Sequence, residues 1–242
     1  MSSLWLVSTT SFFNFSFLPK YTVYFAQGIW YTILLSVVAV GLAVIPALCL
    51  ALMRLSKNKF LKWFSGAYIA VFRSTPMLVQ LALIYYGLFG IGGIQLPSVY
   101  IFGYINLAQF IPGTVALAMN SAAYVAEIFR GGILAVDKGQ MEAARSLGLT
   151  QWQGMKFVVL PQAIKNILPA LCNEGIAVLK ETSIVGLISV VDLTRASDLV
   201  RSRTLSPYFP LIAVAIVYYI LVAGLSAAVS RLERRMAQSD RH

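Results

Sequence analysis

The sequence predicts an all-α integral membrane protein with about five transmembrane helices, its N-terminus outside and its C-terminus inside. Of the 242 residues, 59% are hydrophobic and 12% are charged, and the mean hydropathy is +0.77. A soluble domain with so few charged residues would lack the polar surface that is needed to cover its core. We treat residues 1–242 as a single transmembrane domain.

Five apolar segments can each supply the roughly 20 residues that a spanning helix needs. They cover residues 28–53, 64–94, 110–130, 168–191 and 208–230. The second segment is interrupted by Arg73-Ser74-Thr75-Pro76, where proline removes a backbone donor and disfavours helix at Thr75. The interruption indicates either a kink within one span or a junction between an interfacial helix and the true span. In either case Thr75 could cap a half-helix whose positive end faces a polar cavity.

The distribution of basic residues predicts the orientation, because cytoplasmic loops of membrane proteins are rich in Lys and Arg. With the N-terminus outside, the inner side holds thirteen basic residues and the outer side four. The inner ones are Arg54, Lys57, Lys59, Lys62, Arg130, Lys138, Arg145, Lys156, Lys165, Arg231, Arg234, Arg235 and Arg241, and the outer ones are Lys20, Arg195, Arg201 and Arg203. This asymmetry also accounts for the net charge of +10 without a nucleic-acid partner.

Residues 137–161 form a polar stretch between the third and fourth segments, and they predict two short cytoplasmic helices joined by a glycine. Asp137 with Gln140, and Thr150 with Gln153, fit the spacing of capping boxes. Gly148 fits the C-terminus of the first helix, and Pro161 the end of the second.

The side chains of this stretch suggest a surface for a partner. Small residues, which are Ala143, Ala144, Ser146 and Gly148, would let a partner approach closely. Leu147 and Leu149 are apolar candidates for insertion into a partner groove. The alternative is a surface hairpin that only joins two spans.

The polar stretch resembles the coupling signature of bacterial ABC importer permeases. That signature is Glu-Ala-Ala, three residues, Gly, nine residues, an aliphatic residue, any residue, Leu and Pro. Here Glu142-Ala143-Ala144, Gly148 and Val158-Val159-Leu160-Pro161 have that spacing, with Val158 in place of the usual Ile. The stretches YTILLSVVAV, MRLSKNKF, FRSTPMLVQL, SAAYVAEIFRGGI and NEGIAVLKETSIVGLISVVDL resemble the subfamily that serves polar amino acids such as histidine, glutamine, arginine and cystine.

The resemblance implies that the polar stretch is a coupling helix seated in a groove on a separate ATP-binding subunit. The coupling residues would be Glu142, Ala143, Ala144, Leu147, Gly148, Leu149 and Pro161. It further implies a second permease chain, identical or related, an ATPase dimer and an extracellular amino-acid-binding protein, all at the bacterial plasma membrane. Because the chain has no GxxxxGK[ST] phosphate loop, ATP and Mg²⁺ are expected in the partner ATPase, and this chain is expected to be neither an enzyme nor a cofactor protein.

Polar side chains recur inside the third and fourth segments and are candidates for the substrate pathway, because a charge near the centre of a span costs roughly 2.5–3.5 kcal/mol. Helical spacing puts three of them on one face of the third segment. In the fourth segment it puts Glu174 with Glu181 on one face and Asn173 with Lys180 on the adjoining face. The candidates are Asn120, Tyr124 and Glu127 in the third segment, Asn173, Glu174, Lys180, Glu181, Thr182 and Ser183 in the fourth, and Thr75 in the second.

Matching depths in the two segments predict which polar groups meet. Asn120 should meet Lys180 at mid-span, and Glu127 should meet Asn173 and Glu174 nearer the cytoplasm. Lys180 with Thr182 and Ser183 suits a carboxylate, whereas Glu181 suits an ammonium group, and an amino acid presents both.

Structural alternatives exist for three of these residues. Glu127 could form an i,i+3 ion pair with Arg130. Lys180 could only neutralise a glutamate, and Asn120 could only make an interhelical hydrogen bond.

Two other functional classes fit less well. An ion-coupled secondary transporter would explain the intramembrane glutamates but not the polar stretch, and it usually needs inverted repeats, which the sequence does not display. A membrane enzyme or a scaffold is the third class. Cys49 and Cys172 lie in apolar segments and the single histidine is His242, so no metal cluster and no nucleophile–base pair supports an enzyme.

Overall fold

The computed structural model describes residues 17–238. Predictions that concern the first sixteen residues, Arg241 and His242 lie outside this range. The described part consists of helices and one two-stranded sheet. The elements are α1 (Leu18–Leu55), α2 (Lys59–Ser74), α3 (Met77–Ala82) with a π-helical extension (Leu83–Ile91), β1 (Tyr100–Ile101), β2 (Ile105–Asn106), α4 (Leu107–Leu134), α5 (Lys138–Ser146), α6 (Gln151–Gly154), a π turn (Met155–Val159), α7 (Leu160–Glu181), a 3₁₀ extension (Thr182–Ile188), α8 (Leu193–Thr204) and α9 (Phe209–Gln238).

Within the described range, three continuous helices are long and apolar enough to cross a membrane, namely Leu18–Leu55, Gln151–Ile188 and Phe209–Met236. The bent pair of α2 and the segment Met77–Ile91 would make a fourth. The helix α4 has 28 residues, which is sufficient length, but it carries more polar side chains. The predicted helical membrane protein is therefore confirmed, and the number of five spans stays a prediction.

The helices α1 and α4 pack closely through small residues. On α1, Ala39, Ala43, Ala47 and Ala51 recur every four residues and are almost fully buried. Several small residues of α4 face them: Ala122, Ala123 and Ala126 lie in the same apolar cluster as the last three of these alanines. Small side chains let helix backbones approach in a membrane, where lipid removes the hydrophobic driving force between helices. Within the described residues, this is the most extensive contact between any two helices.

The interruption in the second apolar segment is a sharp break. The axes of α2 and Met77–Ile91 differ by 108° across it. This bend favours a junction between two helices over a kink within one straight span. Pro76, with its fixed φ of −63°, occupies the N-cap of α3 and makes no side-chain cap hydrogen bond.

A small hairpin precedes α4. In it β1 pairs antiparallel with β2, and Ile101 lies opposite Ile105. Asn106 then starts α4, because its Oδ1 accepts a hydrogen bond from the backbone N–H of Ala108 at 3.0 Å.

The helix α8 starts against α1. Asp192 is fully buried and caps α8, and its carboxylate accepts the backbone N–H groups of Thr194 and Arg195 at 2.9 and 3.0 Å. Burial raises the pKa of Asp192 to about 6. The next backbone N–H, that of Leu193, donates to Thr32 Oγ1 of α1 at 3.1 Å. The contact is close because Gly28 of α1 has no side chain: a Cβ there would lie 2.8 Å from Leu193 Cα.

We expect Gly28→Ala to destabilise the protein by about 1–3 kcal/mol, because the new methyl group meets backbone rather than a movable side chain. The control is Gly41→Ala on the same helix, where a Cβ would have no neighbour within 4 Å. That change should be neutral or stabilise by about 0.5–1 kcal/mol, since alanine is the better helix former. Denaturant unfolding of both purified variants in detergent measures the difference, and equal midpoints would contradict the close contact.

Candidate functional site

The polar stretch begins with a well-capped short helix. Asp137 Oδ1 accepts the backbone N–H of Gly139 at 2.6 Å at the start of α5. At its end Gly148 has φ +86°, and the N–H groups of Gly148 and Leu149 donate to Arg145 O and Ala144 O. This is a Schellman motif, so the predicted helix end at Gly148 is confirmed.

One of the two predicted capping boxes forms. Thr150 Oγ1 accepts the backbone N–H of Gln153 at 3.2 Å, and Gln153 Oε1 accepts that of Thr150 at 2.8 Å. The box of Asp137 with Gln140 is wrong, because Gln140 Oε1 instead accepts a hydrogen bond from Gln162 Nε2 at 3.1 Å. That bond ties the start of α5 to α7.

The prediction that Pro161 ends the second helix is wrong. Helix continues from Gln151 to Ile188, so α6 is the first turn of the long helix that contains α7. Pro161 stands in the first turn of α7, directly after the π turn Met155–Val159. In this wider turn the N–H of Leu160 donates to Met155 O, and the changed register accommodates a residue without a backbone donor.

The helix–turn–helix of residues 137–161 has an outer and an inner face. Glu142 and Ala143 are exposed. Leu147 at the turn is 84% exposed, and Leu149 is half-buried. Ala144 is 3% exposed, so its side chain belongs to the inner face and not to the exposed face on which the prediction placed it. It is small because α5 packs on α6 there: a Cβ at Gly154 would lie 3.4 Å from Ala144 Cβ.

Sequence reasoning missed two aromatic residues of this surface. Trp152 is 72% exposed and Phe157 is 62% exposed, and they follow Leu147 along the stretch. Large aromatic side chains in an otherwise polar segment were the available signal, since aromatic residues are enriched where proteins bind each other.

Two interhelical hydrogen bonds join α4 to α7 inside the apolar part of the protein. Asn120 Nδ2 donates to Glu181 Oε2 at 3.2 Å, and Ser121 Oγ donates to Glu174 Oε1 at 2.8 Å. Asn120 and Ser121 are buried, whereas both glutamates are half-buried. The alternative of an interhelical bond for Asn120 is confirmed, and its predicted partner Lys180 is wrong. Sequence reasoning did not single out Ser121.

Glu127 is held within its own helix. Its Oε2 accepts hydrogen bonds from Arg130 Nη2 and Nε at 2.7 and 3.0 Å. This confirms the i,i+3 ion pair, and the expected meeting of Glu127 with Asn173 and Glu174 is wrong. On the same face the guanidinium of Arg73 lies 5.2 Å from the ring centre of Tyr124, which is a cation–π distance.

The polar residues of α7 separate into two faces. Glu174 and Glu181 point to α4, whereas Asn173 and Lys180 are exposed. In the turn that follows α7, Thr182 is buried and its hydroxyl donates to Leu179 O at 2.8 Å, whereas Ser183 is half-buried.

The side chain of a buried glutamine stabilises the bend between α2 and α3. Gln80 is 95% buried, and its Nε2 donates to Phe72 O, Thr75 O and Thr75 Oγ1 at 2.7–2.9 Å. Thr75 is the C-cap of α2, and its hydroxyl donates to Val71 O at 2.8 Å. The prediction that Thr75 caps the positive end of a half-helix is therefore wrong: it lies at the negative end.

A cleft of about 660 Å³ lies away from these polar pairs, between α1, α7 and α9. Its walls are apolar and include Val37, Leu171, Cys172 and Leu225. It offers no charged group for a zwitterion, so the polar pairs are the better candidate for a solute pathway.

Comparisons with known proteins agree with this architecture. The family described as "Binding-protein-dependent transport system inner membrane component" matches residues 39–238. The arginine transport system permease protein ArtQ of Bacillus subtilis is 38% identical over 214 residues, which cover 88% of this chain and 93% of ArtQ. The glutamate/aspartate import permease protein GltK of Escherichia coli is 34% identical over 225 residues, 93% of this chain and 99% of GltK. A crystal structure of an amino acid ABC transporter with histidines superposes with a TM-score of 0.82 at 46% identity, covering 92% of this chain and 98% of that one.

Proposed function

Since the chain belongs to the family of binding-protein-dependent transport system inner membrane components, we propose that it forms the pathway by which an ATP-driven importer takes up a polar amino acid. The chain is a permease subunit, a multi-pass protein of the bacterial plasma membrane, and not itself an enzyme. Its family implies a partner ATPase that hydrolyses ATP and a binding protein that delivers solute.

The helix–turn–helix of residues 137–161 is proposed as the coupling element, which corresponds to the signature stretch in the sequence. Leu147 and Trp152 would insert into the ATPase, with Glu142, Ala143 and Phe157 beside them. Because α6 and α7 are one continuous helix, movement of the ATPase surface would be transmitted directly to Glu174 and Glu181. This continuity gives the coupling element a rigid connection to the proposed pathway.

The main support for the proposed solute pathway is a single observation: Asn173 and Lys180 form an exposed polar face on α7. A lysine that faced lipid near the middle of a span would cost roughly 2.5–3.5 kcal/mol. This face therefore needs a second permease chain or a water-filled route beside it. A second chain supplies both, since a pathway can then lie between the two copies.

The polar groups at the C-terminal end of α7, taken from both of its polar faces, suit an amino acid. The ammonium group of Lys180 and the hydroxyl of Ser183 can bind the solute carboxylate, whereas Glu181, held by Asn120, can accept the solute ammonium group. Glu174 with Ser121, Glu127 with Arg130 and Tyr124 with Arg73 would line the route toward the cytoplasm.

Reconstitution tests this function. The purified permease with its ATPase and binding protein, in proteoliposomes, should take up a radiolabelled polar amino acid only when ATP is present on the ATPase side. Uptake driven by a proton or sodium gradient without ATP would contradict the proposal.

The proposed orientation predicts where single cysteines react, in a background without Cys49 and Cys172. Cysteines at residues 58 and 238 should react with a membrane-impermeant maleimide only from the cytoplasmic side, and one at residue 98 only from outside. The physical reason is the excess of basic residues on the loops assigned to the inside. Labelling of residue 58 from outside would remove the coupling element from the ATPase side.

A further inference from the structure

The start of α2 combines exposed aromatic and basic side chains. Phe60 and Trp63 are 68% and 67% exposed, and their ring centres lie 6.3 Å apart. Phe64, on the same side of the helix, is 47% exposed. The opposite side of α2, with Ser65 and Ile69, is buried. The aromatic stripe therefore faces away from the protein.

Three lysines flank this stripe. Lys57 precedes α2, and Lys59 and Lys62 lie in its first turns, all of them exposed. Within residues 17–238 none of the three has an ion-pair partner. The nearest acidic residue along the chain is Glu127, the first acidic residue of the sequence, and it is engaged with Arg130. Among the residues that the structure describes, the three lysines therefore have no acidic partner.

The lysines lie around the N-terminus of α2. The N-terminus of a helix carries partial positive charge and favours acidic residues. The first turn of α2 holds lysine and no acidic residue. Lysines there are mildly unfavourable, and an anion bound beside them would offset that cost.

We propose that the surface formed by Lys57, Lys59, Lys62, Phe60 and Trp63 binds the headgroups of anionic membrane lipids. Aromatic side chains of membrane proteins concentrate at the headgroup level, and lysines close to that level attract lipid phosphates. The stripe would lie among the upper parts of the acyl chains, and the ammonium groups would reach the phosphates above it. This arrangement holds the start of α2 at the bilayer surface, and it does not depend on which solute is transported.

The fluorescence of Trp63 can report which lipid lies beside this surface. The complex with its ATPase is reconstituted in phosphatidylcholine containing phosphatidylglycerol, with brominated acyl chains placed on one lipid or the other. The fluorescence that is lost in Trp63→Phe isolates the signal of Trp63. We expect brominated phosphatidylglycerol to quench this signal at a lower mole fraction than brominated phosphatidylcholine. Each lysine should contribute about fivefold to this preference.

Matched variants decide the outcome. Lys57→Gln, Lys59→Gln and Lys62→Gln together should abolish the preference for phosphatidylglycerol, whereas the same three changes to Arg should keep it. Lys20→Gln, at the other end of α1, should change nothing. The proposal is overturned if the Gln variant keeps the preference, if both lipids quench equally, or if inorganic phosphate at constant ionic strength removes the preference. Protection of the three lysines from amine labelling in pure phosphatidylcholine would assign them to the ATPase and also overturn it.

Discussion

Leu147→Asp should lower the solute-stimulated ATP hydrolysis of the assembled importer at least about tenfold while the permease remains folded and inserted. Leu147 lies at the turn of the proposed coupling element and is 84% exposed, so its loss removes no internal contact of consequence. Burial of a leucine in a partner groove is worth about 1.5–3 kcal/mol, and an aspartate there would add the cost of burying a charge. Both effects weaken the contact with the ATPase.

A matched control separates coupling from surface chemistry. Leu205 is 88% exposed and lies in the turn after α8, at the opposite end of the chain's long helices from Leu147 in the proposed orientation. Leu205→Asp should leave copurification of the ATPase and basal hydrolysis unchanged. Trp152→Ala, on the same surface as Leu147, should reduce both. Wild-type copurification and hydrolysis in both Leu147→Asp and Trp152→Ala would show that this surface does not bind the ATPase.

Features with local causes were predictable from the sequence. The Schellman turn at Gly148 and the capping box of Thr150 with Gln153 depend on residues a few positions apart, and both form. Apolar runs located the long helices, although α1 begins at Leu18 rather than near residue 28. The helix starts earlier because Tyr21 and Phe25 pack in an apolar cluster with residues of α8 and α9. A contact between residues so distant in the sequence cannot be read from the hydropathy of residues 18–28.

Features that depend on helix rotation were not predictable. Depth along the spans suggested Asn120 with Lys180, but the side chain that meets Asn120 is its neighbour Glu181, because adjacent residues on a helix point about 100° apart. Ala144 was assigned to a partner surface because it is small, yet it is small because Gly154 packs against it. A small residue permits close approach equally well inside a chain and between chains, so only the structure distinguishes the two cases.

Glu181→Gln should raise the solute concentration for half-maximal uptake about tenfold or more. A hydrogen bond to a charged group contributes about 1.5–3 kcal/mol, and each 1.4 kcal/mol corresponds to a factor of ten. If the Glu181 carboxylate binds the solute ammonium group, the neutral amide loses the charged part of that interaction. Uptake by the reconstituted importer at graded solute concentrations gives the value.

Glu181→Gln should weaken solute binding without disturbing the packing of α4 against α7. Gln has the size of Glu, and its amide oxygen can still accept the hydrogen bond from Asn120 that now measures 3.2 Å. The contact between α4 and α7 should therefore persist, and assembly with the ATPase should remain normal. Ser36→Ala is the control: it removes a buried hydroxyl of α1 that bonds only to Thr32 O in its own helix, and it should leave half-saturation unchanged. A lower maximal rate with unchanged half-saturation in Glu181→Gln would contradict the prediction, because it would show that the Glu181 carboxylate does not contribute to the initial binding of the solute.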